Sequence, residues 1–212
     1  MRTIIVGVDG SESSRQALAW AADEAEAGGG EVVALQSWHD PVLGGGVAAA
    51  SDVDRVADAA KHELESLVAR VRESHPSVHV ASALVDVRPA RALVQRAEGA
   101  DLLVVGARGR GGFLRLELGS VSAKVARRSS VPVVVVRGER DRARAGAVVV
   151  GIDGTDCGRG ALRWAADWAE VHDKELHVVL AWSYLAPQGP AGPKRCGPTT
   201  RSRTPSPPWM RS

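Results

Sequence analysis

Between residues 104 and 122 the chain reads Val-Val-Gly-Ala-Arg-Gly-Arg-Gly-Gly, then Phe113 to Leu118, then Gly119-Ser120-Val121-Ser122. Glycines at 106, 109, 111 and 112 let backbone N–H groups come close to an anion, because no Cβ stands in the way. Gly119-Ser120 opens a helix expected over Val121 to Arg128, whose first N–H groups lack intrahelical partners and whose dipole favours negative charge. Ser120 and Ser122 add hydroxyl donors, and Arg108 adds a charge-assisted one. The chemistry this describes is phosphate binding, although in isolation the same residues also describe a turn and a Ser-capped helix. A second candidate is Asp9, in Val8-Asp9-Gly10-Ser11 at the end of the first apolar run. Its carboxylate can accept from a ribose hydroxyl, hold a hydrated Mg²⁺, or cap the helix that follows.

Other chemistries are excluded by spacing. There is no GxxxxGK[ST] phosphate loop, and the glycines are not set as GxGxxG, which would in any case belong after the first strand. The histidines at 39, 62, 75, 79, 172 and 177 form no HxxxH or HExxH pair and have no cysteine at ligand spacing, so no metal site and no catalytic residue is assigned. Cys157 and Cys196 match no metal or disulfide pattern, and reduced thiols in a reducing compartment are expected. The N-terminus has no signal-peptide core and no run of about 18 apolar residues occurs, so a cytoplasmic protein away from membranes is expected. Of the 27 basic residues five lie in 186–212, which has no acid, leaving 22 basic against 25 acidic side chains before it. The pI of about 8.8 therefore belongs to a tail, and no nucleic-acid partner is expected.

Five apolar runs bounded by Gly, Asp or Pro have to position these residues: 4–8, 31–38, 78–85, 101–106 and 131–137. The purely aliphatic ones among them have the continuous apolar character of strands buried on both faces. Between them lie helical patterns. The second is the clearest, with Val53, Val56, Ala57, Ala60, Leu64, Leu67, Val68 and Val71 on one face. The first is expected to begin near Ser13, which with Gln16 makes a capping-box pattern. Alternation of strand and helix implies right-handed crossovers and a parallel α/β sheet with helices on both faces.

A charged stretch over 138–146 reads as a linker, after which the opening of the chain returns. Shifted by 144 residues, Val6-Gly7-Val8-Asp9-Gly10 becomes Val150-Gly151-Ile152-Asp153-Gly154, and Trp20 and Trp38 become Trp164 and Trp182. Residues 147–184 are thus an incomplete second repeat of strand, helix and strand, and they contain no counterpart of Gly106 to Ser122. The tryptophans are expected to pack. Beyond, 185–212 is rich in Pro, Arg and Ser and reads as disordered.

Gly106, Gly109, Gly119 and Ser120 stand at the spacing G-x2-G-x9-G-S, and with the Val-Pro-Val-Val-Val-Val strand they resemble the universal stress protein family. The resemblance implies a five-stranded parallel sheet of order 3-2-1-4-5 over residues 1–137, with ATP bound between the first and fourth strands. Carried over by position, it puts ATP contacts on Asp9, Ser37, Gly106, Arg108, Gly109, Gly119, Ser120, Val121 and Ser122. Mg²⁺ can accompany the nucleotide. Asp86-Val87-Arg88-Pro89 departs from the glycine that often follows the third strand in the family. The function implied is that of an ATP-binding stress-response regulator that signals by occupancy to a protein partner. A slow ATP-hydrolysing or nucleotidyl-transferring enzyme and a dimeric scaffold that binds no nucleotide are the alternatives. The fifth strand, as a sheet edge, is expected to pair with a second copy through residues 131–137, giving a homodimer.

Overall fold

In the computed structural model the described residues are 2–38, 50–109, 118–138 and 146–180, with the side chains of 50–53 left aside. The sequence expectations for 110–117, for the middle of the linker, for Trp182 and for the 185–212 tail lie outside them. The chain divides into two compact units, Met1–Gly146 and Ala147–Ser212.

In the first unit, β1 (Arg2–Val8), β2 (Gly30–Ser37), β3 (His79–Val85), β4 (Leu102–Gly106) and β5 (Val133–Val136) form one sheet of order β3-β2-β1-β4-β5. Every pairing is parallel, with Val8 opposite Gln36 and Val6 opposite both Ala34 and Val104. The expected α/β class and strand order are those observed. The helices are α1 (Glu12–Gly28), α2 (Ala50–Ser74), α3 (Pro89–Arg96) and α4 (Ser120–Arg128).

Alternation along the strands divides the core in two. Ile5, Leu35, Leu103 and Val105 form one buried cluster with Ala92, Leu93 and Ala97 of the α3 region and Val125 of α4. Ile4, Val6, Val32, Ala34 and Val104 point to the opposite face, where α1 buries Ala17, Leu18, Ala21, Ala22 and Ala25 and α2 buries Leu64, Leu67 and Val68. The small residues of α1 let it lie close over the sheet centre, and β4 is buried along its whole length. Buried His75 joins the two outer helices of that face, its Nε2 3.0 Å from Asp23 Oδ1. The Asp86–Pro89 turn is settled by Pro89 at the first position of α3, where a missing N–H costs nothing.

The second unit repeats the opening: β6 (Val148–Ile152), α5 (Asp156–Val171) and β7 (Leu176–Leu180), with β6 and β7 paired in parallel. Val148 opposes Leu176 as Ile4 opposes Val32, so the 144-residue shift holds for the strand register as well as for the sequence.

Candidate functional site

The site is built at the carboxyl edge of the sheet, beginning with the turn from β1 into α1. Gly10 takes φ 75°, a left-handed conformation open to glycine, and reverses the chain directly after Asp9. Asp9 Oδ1 accepts the Ser11 N–H at 3.1 Å and the Ser11 hydroxyl at 2.6 Å, closing an Asx-turn. Ser11 Oγ in turn accepts the Ser14 N–H at 3.2 Å and caps α1. The helix begins near Ser13, as expected, but its cap is Ser11 and the Ser13–Gln16 capping box does not form. The turn fixed by Asp9 and Gly10 brings Ser11 into the capping position, and Gln16 reaches Glu12 Oε1 at 3.4 Å instead of returning to Ser13.

The strap Gly106–Gly109 lies against this first turn of α1. A Cβ on Gly106 would stand 2.6 Å from the Ser13 carbonyl, so only glycine lets β4 end this close to the helix. A Cβ on Gly109 would stand 2.5 Å from Asp9 Oδ2, which places the Asp9 carboxylate directly on the strap. Most of the strap's polar backbone is engaged within the protein. The Ala107 N–H donates to Val136 O at 2.9 Å, and Ala107 O accepts the Gly119 N–H at 2.8 Å. The Arg108 N–H donates to Ser13 Oγ at 3.3 Å, and Arg108 O lies 3.4 Å from Ser11 Oγ. Gly106 O accepts the hydroxyl of buried Ser122 at 2.7 Å.

The donors available to an anion are accordingly concentrated elsewhere than the glycines alone suggest. Gly119 is the N-cap of α4 with extended backbone (φ −68°, ψ 160°) and provides no side-chain cap. The first intrahelical bond at that end runs from the Ala123 N–H to Gly119 O at 3.0 Å. Ser120, Val121 and Ser122 therefore present their N–H groups at the helix's positive end, with the exposed Ser120 side chain and the exposed Arg108 beside them. The Ser122 hydroxyl is spent holding α4 against β4, which leaves its N–H as the donor at the helix start. Gly119 lies alongside the strap, where a Cβ would stand 3.4 Å from Ala107 O and 3.8 Å from Gly109 N.

Asp9, Gly106, Arg108, Gly109, Gly119, Ser120, Val121 and Ser122 are thus gathered around one strap and one helix start. Ser37 stands apart, one residue beyond the Val8–Gln36 pair and so level with Asp9 on the neighbouring strand. Its hydroxyl donates to Val87 O at 2.6 Å and ties the end of β2 to the turn before α3. Sequence reasoning put the cap at Ser13 and gave no role to the Ser11 and Ser14 hydroxyls, although three serines in four residues directly after an Asp-Gly pair were a signal for turn and cap chemistry. Among the described residues no group of three or more His, Cys, Asp or Glu side chains is placed to hold a metal ion. None of their helices is long and apolar enough to cross a membrane.

The described residues of the second unit repeat the turn. Asp153 Oδ1 accepts the Thr155 N–H at 3.0 Å and its hydroxyl at 2.6 Å, and Thr155 caps α5 through the Gly158 N–H at 3.2 Å. Cys157 stands at the position equivalent to Ser13.

The model of the universal stress protein family matches residues 1–137. A universal stress protein of Mycobacterium tuberculosis is 40% identical over 140 residues, which are 63% of this chain and 45% of that protein. One of Mycolicibacterium smegmatis is 37% identical over 138 residues, again 63% and 45%. The chain thus spans about half the length of the curated relatives it matches. Among solved structures, a universal stress protein from Archaeoglobus fulgidus aligns with a TM-score of 0.68 at 22% identity, over 84% of this chain and 65% of that one. The universal stress protein UspA from Lactobacillus plantarum aligns with a TM-score of 0.55 at 23% identity, over 64% and 97%. These two likenesses concern the fold.

Proposed function

This chain belongs to the universal stress protein family, and we propose that its first unit binds ATP at the carboxyl edge of the sheet and signals by occupancy to a protein partner. The phosphates take the N–H groups of Ser120, Val121 and Ser122, the Ser120 hydroxyl, the Gly109 N–H and the Arg108 guanidinium. Asp9 receives the ribose hydroxyls or a hydrated Mg²⁺ that arrives with the phosphates. Ser37, level with Asp9, borders the nucleoside end. The observation that carries this reading is the Gly119 N–H to Ala107 O bond of 2.8 Å, which fastens the open end of α4 to the strap on which Asp9 rests. A regulator is favoured over an enzyme because the carboxylate of the constellation is already tied by Ser11, and efficient catalysis asks for a placed acid or base.

Titration calorimetry of the full chain with ATP tests the site. Gly119→Leu puts a branched side chain between the helix end and the strap, and ATP affinity should fall by about tenfold or more. Unchanged affinity would place the phosphates elsewhere.

The same reading includes a homodimer through residues 131–137. Pro132 and Val136 carbonyls accept from Leu103 and Ala107, so even-numbered residues of β5 face β4 and the N–H groups of Val133 and Val135 face the open edge. Val135→Pro removes one of those edge donors and spares the ladder to β4. Sedimentation should show a dimer of the wild type weakened by this change. A monomer at tens of micromolar, or a dimer indifferent to the substitution, would refute it.

A further inference from the structure

We infer that Ser13 is a positioning residue of the nucleotide site, holding the strap so that the Arg108 side chain is presented to the phosphates; this rests on the ATP-binding reading above. Ser13 is in the first turn of α1 but takes no part in capping it. That task belongs to Ser11, through the Ser14 N–H, while the Ser14 hydroxyl returns to Ser11 O at 2.9 Å. The Ser13 hydroxyl instead accepts the Arg108 N–H at 3.3 Å, across 95 residues of sequence.

Two serines border the Arg108 peptide groups, and their proton inventory separates their roles. A hydroxyl has one proton to donate. Ser11 has two acceptors near it, Asp9 Oδ1 at 2.6 Å and Arg108 O at 3.4 Å, and the short bond to the carboxylate claims the proton. Ser13 acts as an acceptor, so its bond to the Arg108 N–H makes no claim on its one proton. It sets the backbone direction at Arg108, two residues after Gly106, whose missing Cβ admits the Ser13 backbone and hydroxyl.

The second unit gives an independent comparison. Thr155 there keeps both contacts of Ser11, to Asp153 and to the Gly158 N–H, so the turn and cap are common to the two repeats. The residue at the Ser13 position is Cys157. Turn and cap thus persist with a cysteine in place of Ser13, so neither requires a hydroxyl at this position.

The test uses the full chain and the variants Ser13→Ala, Arg108→Ala and the double substitution. Alanine suits a helix's first turn, so the melting temperature without ligand should stay close to that of the wild type. ATP affinity of Ser13→Ala should fall about fivefold to tenfold, the worth of one hydrogen bond. In the Arg108→Ala background the same change should cost less than about twofold, because the group it aims is gone. Hydrogen exchange at the Arg108 amide, read without ATP, should be about tenfold faster in Ser13→Ala. Wild-type affinity in Ser13→Ala, equal losses in both backgrounds, or an unaltered Arg108 amide would overturn the inference while leaving ATP binding intact. A wild-type chain that binds no ATP would overturn both.

Discussion

Two stretches of this chain begin alike and end in different surroundings. Asp9-Gly10-Ser11 and Asp153-Gly154-Thr155 build the same Asx-turn, with bonds to the aspartate that agree within 0.1 Å and glycines at φ 75° and 79°. The strands that follow pair in the same register. Yet Ile5 is 4% exposed and its equivalent Val149 67%; Leu35 is 2% exposed and Val179 49%. In the first unit β4 lies beside β1, and α3 and α4 cover the face to which Ile5 and Leu35 belong. Local hydrogen bonding is written in local residues, whereas burial is supplied by elements a hundred residues further on. The phosphate chemistry follows the second category. An aspartate turn occurs twice, and the one in the first unit meets a strap and a helix start.

The largest expected difference is in opening. With Val149, Val178, Val179 and Leu180 exposed, β6 and β7 gain little from burial, while β1 and β4 are sealed on both faces. In native-state hydrogen exchange, amides of β6 and β7 should exchange at least about a thousandfold faster than those of β1 and β4, a gap of about 4 kcal/mol in opening free energy. Equal protection would mean that the apolar face of the second unit is covered in solution.

A smaller difference separates two equivalent glycines. A Cβ on Gly7 would stand 2.9 Å from Leu93 Cδ1 and 3.3 Å from Val105 Cγ1, within the core that α3 closes; one on Gly151 meets nothing within 4 Å. Gly7→Val should therefore destabilise the first unit by about 1–3 kcal/mol through overpacking. Gly151→Val should cost less than about 0.5 kcal/mol, a branched residue being well suited to a strand. Thermal or denaturant unfolding of the two variants checks this. A Gly7→Val chain as stable as the wild type would show that Leu93 has room to move aside.

What the sequence made legible divides along the same line. The five aliphatic runs and the helix over 53–71 were plain from periodicity, because each is a property of a few adjacent residues. The order 3-2-1-4-5 was not, since βαβ units of this length can be arranged in several ways; it came from the resemblance carried by Gly106, Gly109, Gly119 and Ser120. Within the site, the open N-terminus of α4 was readable from Gly119-Ser120. The fate of the other donors was hidden in contacts distant in sequence. The Ser122 hydroxyl, readable as a phosphate donor, serves Gly106 O, 16 residues away, and leaves the N–H of that residue for an anion. Gly106 looked like a glycine that clears space for phosphate, and the space it clears is taken by Ser13. The misplacement of the α1 cap had a local cause: the Ser13–Gln16 pattern competed with Asp9-Gly10-Ser11, and the turn that satisfies the aspartate prevailed.

The smallest expected effect concerns what the two regions share, and it separates structure from chemistry. Ser11→Ala and Thr155→Ala each remove an N-cap acceptor and one donor to an aspartate. Each should destabilise its own helix by about 1 kcal/mol, the usual worth of such a cap. The two should differ in ligand binding. Ser11 orients Asp9, whose other oxygen rests on Gly109, so its loss releases the carboxylate beside the strap. Thr155 orients Asp153, which meets no strap among the described residues of its own unit. ATP affinity should fall about threefold to tenfold for Ser11→Ala, on the scale of one misplaced hydrogen bond, and stay at the wild-type value for Thr155→Ala. Helix exchange rates measure the first quantity and calorimetry the second. Equal caps with unequal affinities would show that one turn serves two roles; equal affinities would confine Asp9, like Asp153, to the start of its helix.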